Sequence, residues 1–456
     1  GFRPADEGDP QGTAGIAGRV QPPDGNHLEE SGGDGGMKRE TYKLKQLCSE
    51  IVDCVNKTAP TSDAPTPYKM LRTSDIREGK INLENLNCVT KEVYEKWTRR
   101  GKLQKGDVIF TREAPLGEAG LVREEKNYFL GQRLVLFRAN DKICDGRFLM
   151  YSLLWHDNKQ AIISKGVGST VAHLRVPECE NIEIKAPDLD IQHRIADILS
   201  AYDDLIENNQ KQIKLLEEAA QRLYKEWFVD LHFPGHENTK IVDGVPEGWS
   251  KNPIQDFISY EIGGGWGEEL QNEKSMIPAY VIRGTDIKGL VNGQLQSVPY
   301  RYHTAGSLET RKLLDGDIVF EVSGGSKTEG VARTVRIIDL MLKTWDNSVI
   351  CASFCKRIKP IPSFSQYLYD SFRWMRLNGK TQEYDKKSAS SIVNYRWKDF
   401  LAQEKILKPD EETISQYNNI AGTIYTKIIV CSCQIEQAKM KRDLLLPKLM
   451  SGELEV

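Results

Sequence analysis

The sequence predicts an α/β (α+β) chain: two mixed blocks in a pseudo-two-fold arrangement, separated by two long antiparallel coiled-coil helices. Two observations lead to this fold class. Short motifs of residues 37–187 return in the same order in residues 250–408, which indicates a duplication. A heptad pattern of apolar residues follows each block, over residues 188–230 and 409–456, as expected for a long paired helix.

Length and composition indicate a globular protein of two or three domains. The 456 residues are 39% hydrophobic and 28% charged, and no stretch reaches the ~20 apolar residues of a membrane helix. The chain does not start with the basic and apolar regions of a signal peptide, so a cytoplasmic location is expected. The nine cysteines are scattered and lack nearby histidines, so we predict no metal site in this chain.

Charge alternates along the chain although the net charge is only −3. Residues 37–187 carry a net charge of +6 and residues 238–408 carry +4, whereas residues 1–36, 188–237 and 409–456 carry −5, −6 and −2. Local positive potential is what a surface that binds a polyanion needs. The two positive blocks permit such a role without demonstrating it.

The first segments in chain order are an extension and a mixed block. Residues 1–36 are rich in Gly, Pro, Asp and Glu and nearly lack large apolar side chains. They cannot bury enough surface to offset their ordering entropy, so we predict a disordered extension, with Met37 as a candidate natural start. Residues 37–187 combine short β-rich runs with one helical stretch, Arg147–Ala161.

Residues 188–230 are predicted to form one helix, because they lack Gly and Pro and repeat apolar residues at heptad spacing. The polar Asn209 interrupts the stripe, and a buried polar residue in such a place can fix the register of a helix pair. The predicted seam consists of Leu199, Tyr202, Ile206, Asn209, Ile213, Leu216, Ala220, Leu223 and Trp227.

A Pro- and Gly-rich linker, residues 231–249, leads to the second block, and a second helix follows over residues 409–456. We expect Pro447 to disturb its last turn. The two helices either pair with each other, which we favour because neither block needs so long a cover, or pack separately on their own blocks. The seam of the second helix consists of Ile414, Tyr417, Ala421, Ile424, Ile428, Cys431, Ile435, Ala438 and Leu445.

Four short matches, all in the same order, support the duplication. Their offsets are 211, 210, 222 and 222 residues, so the copies drift by only about ten residues. Antiparallel pairing of the helices would then place the two blocks at opposite ends, at a fixed separation. The matches are Arg72–Ile76 with Arg283–Ile287, Gly106–Phe110 with Gly316–Phe320, Gly168–Val171 with Ser390–Val393, and Lys185–Asp188 with Leu407–Asp410.

From about residue 40 onwards the chain resembles the specificity (S) subunit of type I restriction–modification systems. The most specific stretch is Gln192–Pro234, which is similar to the central conserved helix and LHFPG linker of that family. Val245–Trp249 is similar to the entry into a second target-recognition domain, and Leu446–Glu455 to the C-terminal signature. The second helix is a loose copy of the first, and the first block opens without Pro-Glu-Gly-Trp.

The resemblance implies that residues 37–187 and 250–408 are target-recognition domains. Each would read one half of a bipartite, asymmetric site on double-stranded DNA. The helices would separate the two domains and dock two methyltransferase (modification) subunits, which restriction/translocase subunits can join. S-adenosylmethionine, Mg and ATP are then expected on these partner subunits, with no cofactor in this chain, in the cytoplasm of a bacterium or archaeon.

The motifs that catalysis would need do not occur in the chain. An Asn/Asp-Pro-Pro-aromatic motif, a Gly-rich cofactor loop in a strand–helix context and a Walker lysine are all missing. We therefore predict a non-catalytic specificity subunit. Two alternatives stay open: the specificity subunit of another modification or phage-defence system, and a protein-binding coiled-coil scaffold.

Candidate DNA contacts are cations that stand beside aromatic or small residues. Arginine can read guanine in the major groove, lysine more often holds phosphate, and small residues expose backbone N–H groups. A solvated turn is an equal alternative for residues 96–102, and a structural role is an equal alternative for Arg72 and Arg283. The candidates are Arg72, Thr73, Lys96, Arg99, Arg100, Lys102, Lys165, Gly168, Ser169, Thr170, Arg283, Arg301, Arg373, Arg376, Lys386, Lys387, Ser388, Ser390 and Ser391.

Overall fold

The computed structural model describes residues 38–167, 172–292, 294–324, 330–387 and 392–456. The extension predicted to be disordered, residues 1–36, lies outside these ranges. Of Lys387 only the backbone is described. Six candidate DNA contacts also lie outside the described residues: Gly168, Ser169, Thr170, Ser388, Ser390 and Ser391.

Block 1, residues 40–186, is a mixed domain whose first and last strands pair antiparallel, with Glu40 opposite Ala186. This pairing brings the two ends of the block together. Its elements are β1 (Glu40–Lys43), α1 (Leu44–Leu47), β2 (Cys48–Asp53), β3 (Lys69–Leu71), β4 (Ile76–Arg77), β5 (Lys80–Ile81), β6 (Asn87–Cys88), α2 (Lys91–Trp97), β7 (Val108–Thr111), β8 (Ala119–Leu121), β9 (Tyr128–Leu130), β10 (Leu134–Ala139), α3 (Gly146–Leu154), α4 (His156–Ser164), α5 (Val176–Glu180) and β11 (Glu183–Ala186).

A four-stranded antiparallel sheet in the order β2-β10-β7-β8 forms the centre of block 1. Strand β7 is buried on both faces: Val108 and Phe110 enter one apolar cluster, and Ile109 enters another. Successive side chains of a strand point to opposite faces, which explains this near-continuous apolar run. A three-stranded sheet, β6-β3-β9, lies beside it, with β3 antiparallel to β6 and parallel to β9.

The predicted central helix is α6 (Leu189–Phe228), which follows block 1 directly. The linker is ordered in the structure: it contains a short hairpin, β12 (Ile241–Val242) and β13 (Val245–Pro246), and it buries Phe233 and Trp249. The rings of these two residues are tilted by 35° with centroids 4.5 Å apart, and they attach the linker to the core of block 2.

Block 2, residues 250–408, repeats the topology of block 1. Its elements are β14 (Ser250–Pro253), β15 (Ile258–Gly263), β16 (Ile277–Ile282), α7 (Ile287–Leu290), β17 (Tyr300–His303), α8 (Ala305–Arg311), β18 (Ile318–Glu321), β19 (Ser323–Gly324), β20 (Thr334–Arg336), α9 (Asp339–Leu342), β21 (Ser348–Cys351), β22 (Cys355–Pro360), α10 (Ser365–Leu377), β23 (Asp385–Lys387), β24 (Val393–Tyr395), α11 (Trp397–Gln403) and β25 (Lys405–Lys408).

Three sheets of block 1 have counterparts in block 2, whereas the two-stranded sheet of β4 and β5 has none among the described residues. The order β15-β22-β18-β20 corresponds to β2-β10-β7-β8, and β17-β16-β21 keeps one antiparallel and one parallel pairing, as in β6-β3-β9. Strands β14 and β25 close block 2 as β1 and β11 close block 1. The shared strand order supports a duplication independently of the short sequence matches.

The Gly-Asp pair of the repeated motif has the same structural role in both blocks. Gly106 and Gly316 have positive φ angles of 93° and 84°, in the left-handed region that glycine adopts without strain. The next residue, Asp107 or Asp317, accepts a hydrogen bond from the backbone N–H three positions earlier. It also accepts a hydrogen bond from an arginine of the neighbouring strand, over 2.9 Å in block 1 and 2.8 Å in block 2.

Helix α12 (Glu411–Ser451) pairs with α6 in antiparallel orientation, as the sequence predicts. Residues of α6 meet residues of α12 in reverse order: Arg442 contacts Asp203, Cys431 contacts Gln212, and the rings of Trp227 and Tyr417 lie 5.7 Å apart. The pairing excludes the alternative in which each helix packs on its own block alone. Most of the predicted seam is buried, including Leu199, Ile206, Asn209, Ile213, Ile414, Tyr417, Ile428 and Ile435, whereas Tyr202, Leu216, Leu223 and Ile424 are partly buried.

The two blocks occupy opposite ends of the helix pair. The core of block 1 includes Leu199 near the start of α6 and Leu449 near the end of α12. The core of block 2 includes Tyr224 near the end of α6 and Ile414 near the start of α12. Because the helices are antiparallel, each block rests on both of them.

Two local expectations are wrong. The stretch predicted as one helix is divided into α3 and α4 at Trp155, whose backbone has ψ of 130° and leaves the helical conformation. Pro447 does not end the second helix, which continues to Ser451. The last turn is retained because Leu449 and Met450 are buried against block 1 and stabilise it.

Candidate nucleic-acid interface

The cationic turn after α2 is an exposed feature that block 2 lacks. Thr90 caps α2 by accepting a hydrogen bond from Val93 N–H, and Thr304 caps the equivalent helix α8 in the same way. From these caps to the Gly-Asp motif, block 1 is four residues longer, and the extra length includes Arg99 and Arg100. Block 1 therefore presents two arginines at a position where block 2 has a shorter turn.

The side chains of this turn are held by weak, partly solvated contacts. Arg100 donates to the Cys54 carbonyl over 3.0 Å, Lys96 Nζ lies 5.7 Å from the ring centroid of Trp97, and Lys102 Nζ lies 6.0 Å from that of Tyr94. Lys96, Arg99, Arg100 and Lys102 are all exposed. Such cation–π contacts contribute little at exposed sites, so the charges remain available to a polyanion.

Two equivalent hairpins carry Lys165 and Lys386. In block 1, Val167 pairs with His173, and His173 pairs with Glu113. In block 2, Lys387 pairs with Val393 in the β23–β24 hairpin, and the next strand residue, Asn394, pairs with Ser323. Both hairpins lie beside the segment that follows the Gly-Asp strand of their block, and the lysines at their bases, Lys165 and Lys386, are exposed.

Arg72 and Arg283 form identical pairs with carboxylates in the two blocks. Arg72 donates from Nε and Nη2 to Asp75 over 3.0 and 2.8 Å, and Arg283 makes the same pair with Asp286 over 2.9 and 2.7 Å. Each aspartate is buried and also accepts from the backbone N–H of its arginine. The pair pins a turn that also contains Thr73, which favours the structural role that the sequence leaves open.

Arg301 is largely buried and lies under an aromatic ring. Its guanidinium carbon is 4.6 Å from the ring centroid of Trp266, and Nη1 lies 2.7 Å from Glu269. The neighbouring Tyr300 is 43% exposed and packs against the Tyr280 ring at 5.1 Å. The predicted basic-aromatic face of β17 is therefore aromatic on its open side, with the cation on the covered side.

Arg373 and Arg376 lie apart from the hairpins, in a cleft of about 510 Å³ between block 2 and α6. Arg373 pairs with Glu217 of α6 over 2.9 Å, and coulombic interaction with Tyr369 followed by nearby carboxylates raises the pKa of its guanidinium. Arg376 donates to the Val331 carbonyl. Two further cations line the same cleft and were not predicted from the sequence: Lys288, which directly follows the Arg283–Ile287 motif, and Arg333.

Burial disfavours the thiolate form of several cysteines, whereas a hydrogen bond with Lys69 lowers the pKa of Cys88. Desolvation raises the pKa of Cys48 and that of Cys351 to about 12 each. Across the described ranges, no group of three or more His, Cys, Asp or Glu side chains is placed to hold a metal ion. The described helices also include none that is long and apolar enough to cross a membrane.

Comparison with known proteins matches block 1 and most of α6 to a known domain. Residues 39–218 match the family model of the type I restriction modification DNA specificity domain. The chain is 27% identical over 365 residues to the type I restriction enzyme MjaIX specificity subunit of Methanocaldococcus jannaschii, covering 77% of this chain and 78% of that protein. It is 26% identical over 180 residues to the type I restriction enzyme HindI specificity subunit of Haemophilus influenzae, covering 38% of each.

The fold matches as well. A crystal structure of the type I restriction–modification system S subunit from M. genitalium superposes with a TM-score of 0.60 at 15% identity, covering 92% of this chain and 98% of the other. The shared fold therefore includes both blocks and both long helices. The chain is thus similar in sequence, over residues 39–218 and over most of its length at 27% identity, and in fold to specificity subunits of type I restriction–modification systems.

Proposed function

We propose that this chain reads a bipartite, asymmetric DNA sequence, with each block contacting one half-site and the helix pair setting the distance between them. The observation that carries this proposal is the position of two blocks of equal topology at opposite ends of one antiparallel helix pair. A frame of this kind suits half-sites that lie on one duplex at a fixed spacing.

The length of the frame supports the proposal. Leu199 in the core of block 1 and Tyr224 in the core of block 2 are 25 residues apart on α6. At about 1.5 Å per residue this separation is about 38 Å, close to one turn of duplex DNA, for which half-sites are about 34–36 Å apart. The two blocks can then face the same side of the duplex.

The charged features of the blocks are the proposed contacts. Exposed lysines at the two hairpins, Lys165 and Lys386, are suited to phosphate, and Arg99 and Arg100 of block 1 are suited to phosphate or to guanine. Because only block 1 has the longer cationic turn, the two half-sites are expected to differ in sequence. This difference is the origin of the asymmetry in the proposed site.

The chemistry belongs to partner subunits in this proposal. The helix pair docks two methyltransferase subunits, which bring S-adenosylmethionine, and restriction/translocase subunits bring Mg and ATP. The chain itself contributes specificity without catalysis, in the cytoplasm beside the DNA. Exposed apolar side chains on both helices, such as Leu215 and Met440, offer these partners a surface.

Reconstitution with a cognate methyltransferase subunit, followed by sequencing of methylated adenines, tests the proposal. We expect methylation at one bipartite motif when both proteins are present, and none with either protein alone. Methylation by the purified chain alone would overturn the non-catalytic role. Failure of the assembled complex to bind any duplex at low salt would favour a protein-binding scaffold, and methylation that needs other partners would favour a different modification or defence system.

A further inference from the structure

Block 1 and block 2 are attached to the helix pair by different chemistry. Block 2 is joined through an aromatic cluster: the Phe228 ring of α6 lies 4.7 Å from Tyr367 of block 2 and 4.8 Å from Tyr417 of α12. Tyr224 lies 5.9 Å from the same Tyr367 ring. This contact is non-directional and extensive, so block 2 and the two helices share one continuous apolar core.

Block 1 combines an apolar contact at one end of the helix pair with polar side chains that reach further along α6. Arg147 and Tyr151 stand one turn apart on α3 and reach acidic residues of α6: Arg147 Nη1 lies 2.6 Å from Asp197, and the Tyr151 hydroxyl lies 2.6 Å from Asp203. Arg123 pairs with Asp204. Asp197 and Asp204 are more than 60% exposed, so those ion pairs are screened by solvent and contribute little.

Asp203 differs from the other anchors because it is buried and bridges three elements. Only 3% of the residue is exposed. One carboxylate oxygen accepts from the Tyr151 hydroxyl of block 1, and the other accepts from Arg442 Nη1 of α12 over 2.7 Å. Burial followed by the nearby Asp203 charge raises the pKa of Tyr151, so the hydroxyl remains a donor.

Asp203 lies nearer the middle of the helix pair than the apolar contact of block 1. The apolar contact of block 1 with α6 lies at one end of the helix, at Ile191–Leu199, and the apolar contact with α12 lies at the same end of the pair, at Leu445–Met450. Asp203 lies one turn further towards the middle, and it is the buried polar contact that ties block 1 to both helices at once. Without the Asp203 contacts, block 1 would be held by the apolar contact at the end of the helix pair and by solvated ion pairs. It could then tilt relative to the helix pair.

We infer that Asp203 is a specificity-determining positioning residue, because it fixes where block 1 sits on the helix pair and so sets the spacing between the two half-sites. The inference rests on the proposed reading of a bipartite DNA site. Asp203 does not touch DNA in this account: it acts through the placement of block 1. Loss of the carboxylate leaves the buried Tyr151 hydroxyl without its acceptor and leaves Arg442 with only the exposed Asp443 as a partner, which favours movement of α3 away from α6.

The test compares methylation rates on duplexes that carry both half-sites at the native spacing and at spacings one base pair shorter and longer. The full chain is assembled with its methyltransferase subunits. For the wild type we expect a preference of about 100-fold for the native spacing, and for Asp203→Ala a preference below about 10-fold, with unchanged bases in each half-site. A purely structural role would lower all rates together and leave the spacing preference intact.

Two further variants keep the test decisive. Tyr151→Phe removes a single hydroxyl and leaves the Asp203–Arg442 pair in place. It should therefore relax the spacing preference less than Asp203→Ala does. Ile213→Ala removes apolar contact from the buried seam away from block 1, and it should leave the preference unchanged. The inference would be overturned if Asp203→Ala and Tyr151→Phe kept the full spacing preference, or if Ile213→Ala lost as much of it as they do. A wild-type complex that methylates duplexes of no spacing would instead refute the proposed function.

Discussion

Lengthening both helices at matched positions should lengthen the spacing of the recognised site. The contacts between Asp203 and Arg442 and between Gln212 and Cys431 place the middle of α6, at Asn208–Asn209, opposite Ile435–Glu436 of α12. Insertion of four helix-forming residues at both positions preserves the pairing on either side. An insertion into one helix alone would instead slide one seam past the other.

The magnitude follows from helix geometry. Four residues add about 6 Å of length and about 40° of rotation to an α-helix. Two base pairs of DNA add about 6.8 Å and about 69° of rotation, so the mismatch is about 30°. A four-residue insertion is also a stutter that a coiled coil absorbs by local unwinding. The half-site spacing is therefore expected to grow by one to two base pairs.

Sequencing of methylated adenines gives the spacing directly. The matched control carries the same four residues after Ser451, beyond the end of α12, and should keep the native spacing. Both variants should recognise the native bases in each half-site. An active double-insertion variant with the native spacing would refute the idea that the helix pair sets the distance.

Three other predictions follow from single contacts. Replacing Lys386 and Lys387 by alanine should weaken duplex binding and reduce the slope of log affinity against log salt by about 1 to 2, and an unchanged slope would place the hairpin away from DNA. Burial of Asp370 raises its pKa from the ordinary 3.8 to about 6, so its contribution to stability is present below about pH 4 and is lost as pH rises through about 6. Asp370→Asn keeps the acceptor for the Tyr417 hydroxyl but cannot ionise, so its free energy of unfolding in urea should lack the fall of up to about 3 kcal/mol that the wild type shows between pH 4 and pH 7. The same dependence of that free energy on pH in both proteins would contradict this assignment. Phe228→Ala should destabilise block 2 by about 3–5 kcal/mol in the same assay, because it removes the ring that joins Tyr417 to the block, and a loss below about 1 kcal/mol would show that the aromatic cluster is not the main attachment.

The architecture could be predicted because its signals are periodic or repeated in the sequence. A buried helix stripe recurs every seven residues, so Leu199, Ile206 and Ile213 predict the seam of α6 without knowledge of the partner. A duplicated domain repeats its turn motifs, so Gly106-Asp107 and Gly316-Asp317 predict two blocks of one topology.

Contacts between distant segments left no such signal. Asp203 pairs with Tyr151, 52 positions away, and with Arg442, 239 positions away, and the heptad pattern gives no hint of either partner. The helix break at Trp155 and the continuation through Pro447 depend on packing that local propensity does not include.

Some of the candidate DNA contacts could be judged from the sequence, and others could be judged only from the structure. Exposure of the turn at Arg99 and Arg100 agrees with its composition, since charged residues without apolar neighbours remain solvated. Arg72 and Arg283 matched across the repeat for a structural reason that the sequence could not separate from function, because a recurring Arg-x-x-Asp spacing is compatible with both. Pairing with a buried aspartate became apparent only from the geometry.

The most direct test of the central claim, that each block reads one half-site, is a chain in which residues 250–408 are replaced by a second copy of residues 37–187. Assembled with its methyltransferase subunits, this chain should methylate an inverted repeat of a single half-site, because the pseudo-two-fold frame then carries two identical readers. Methylation of the native asymmetric motif by the same chain would contradict the account.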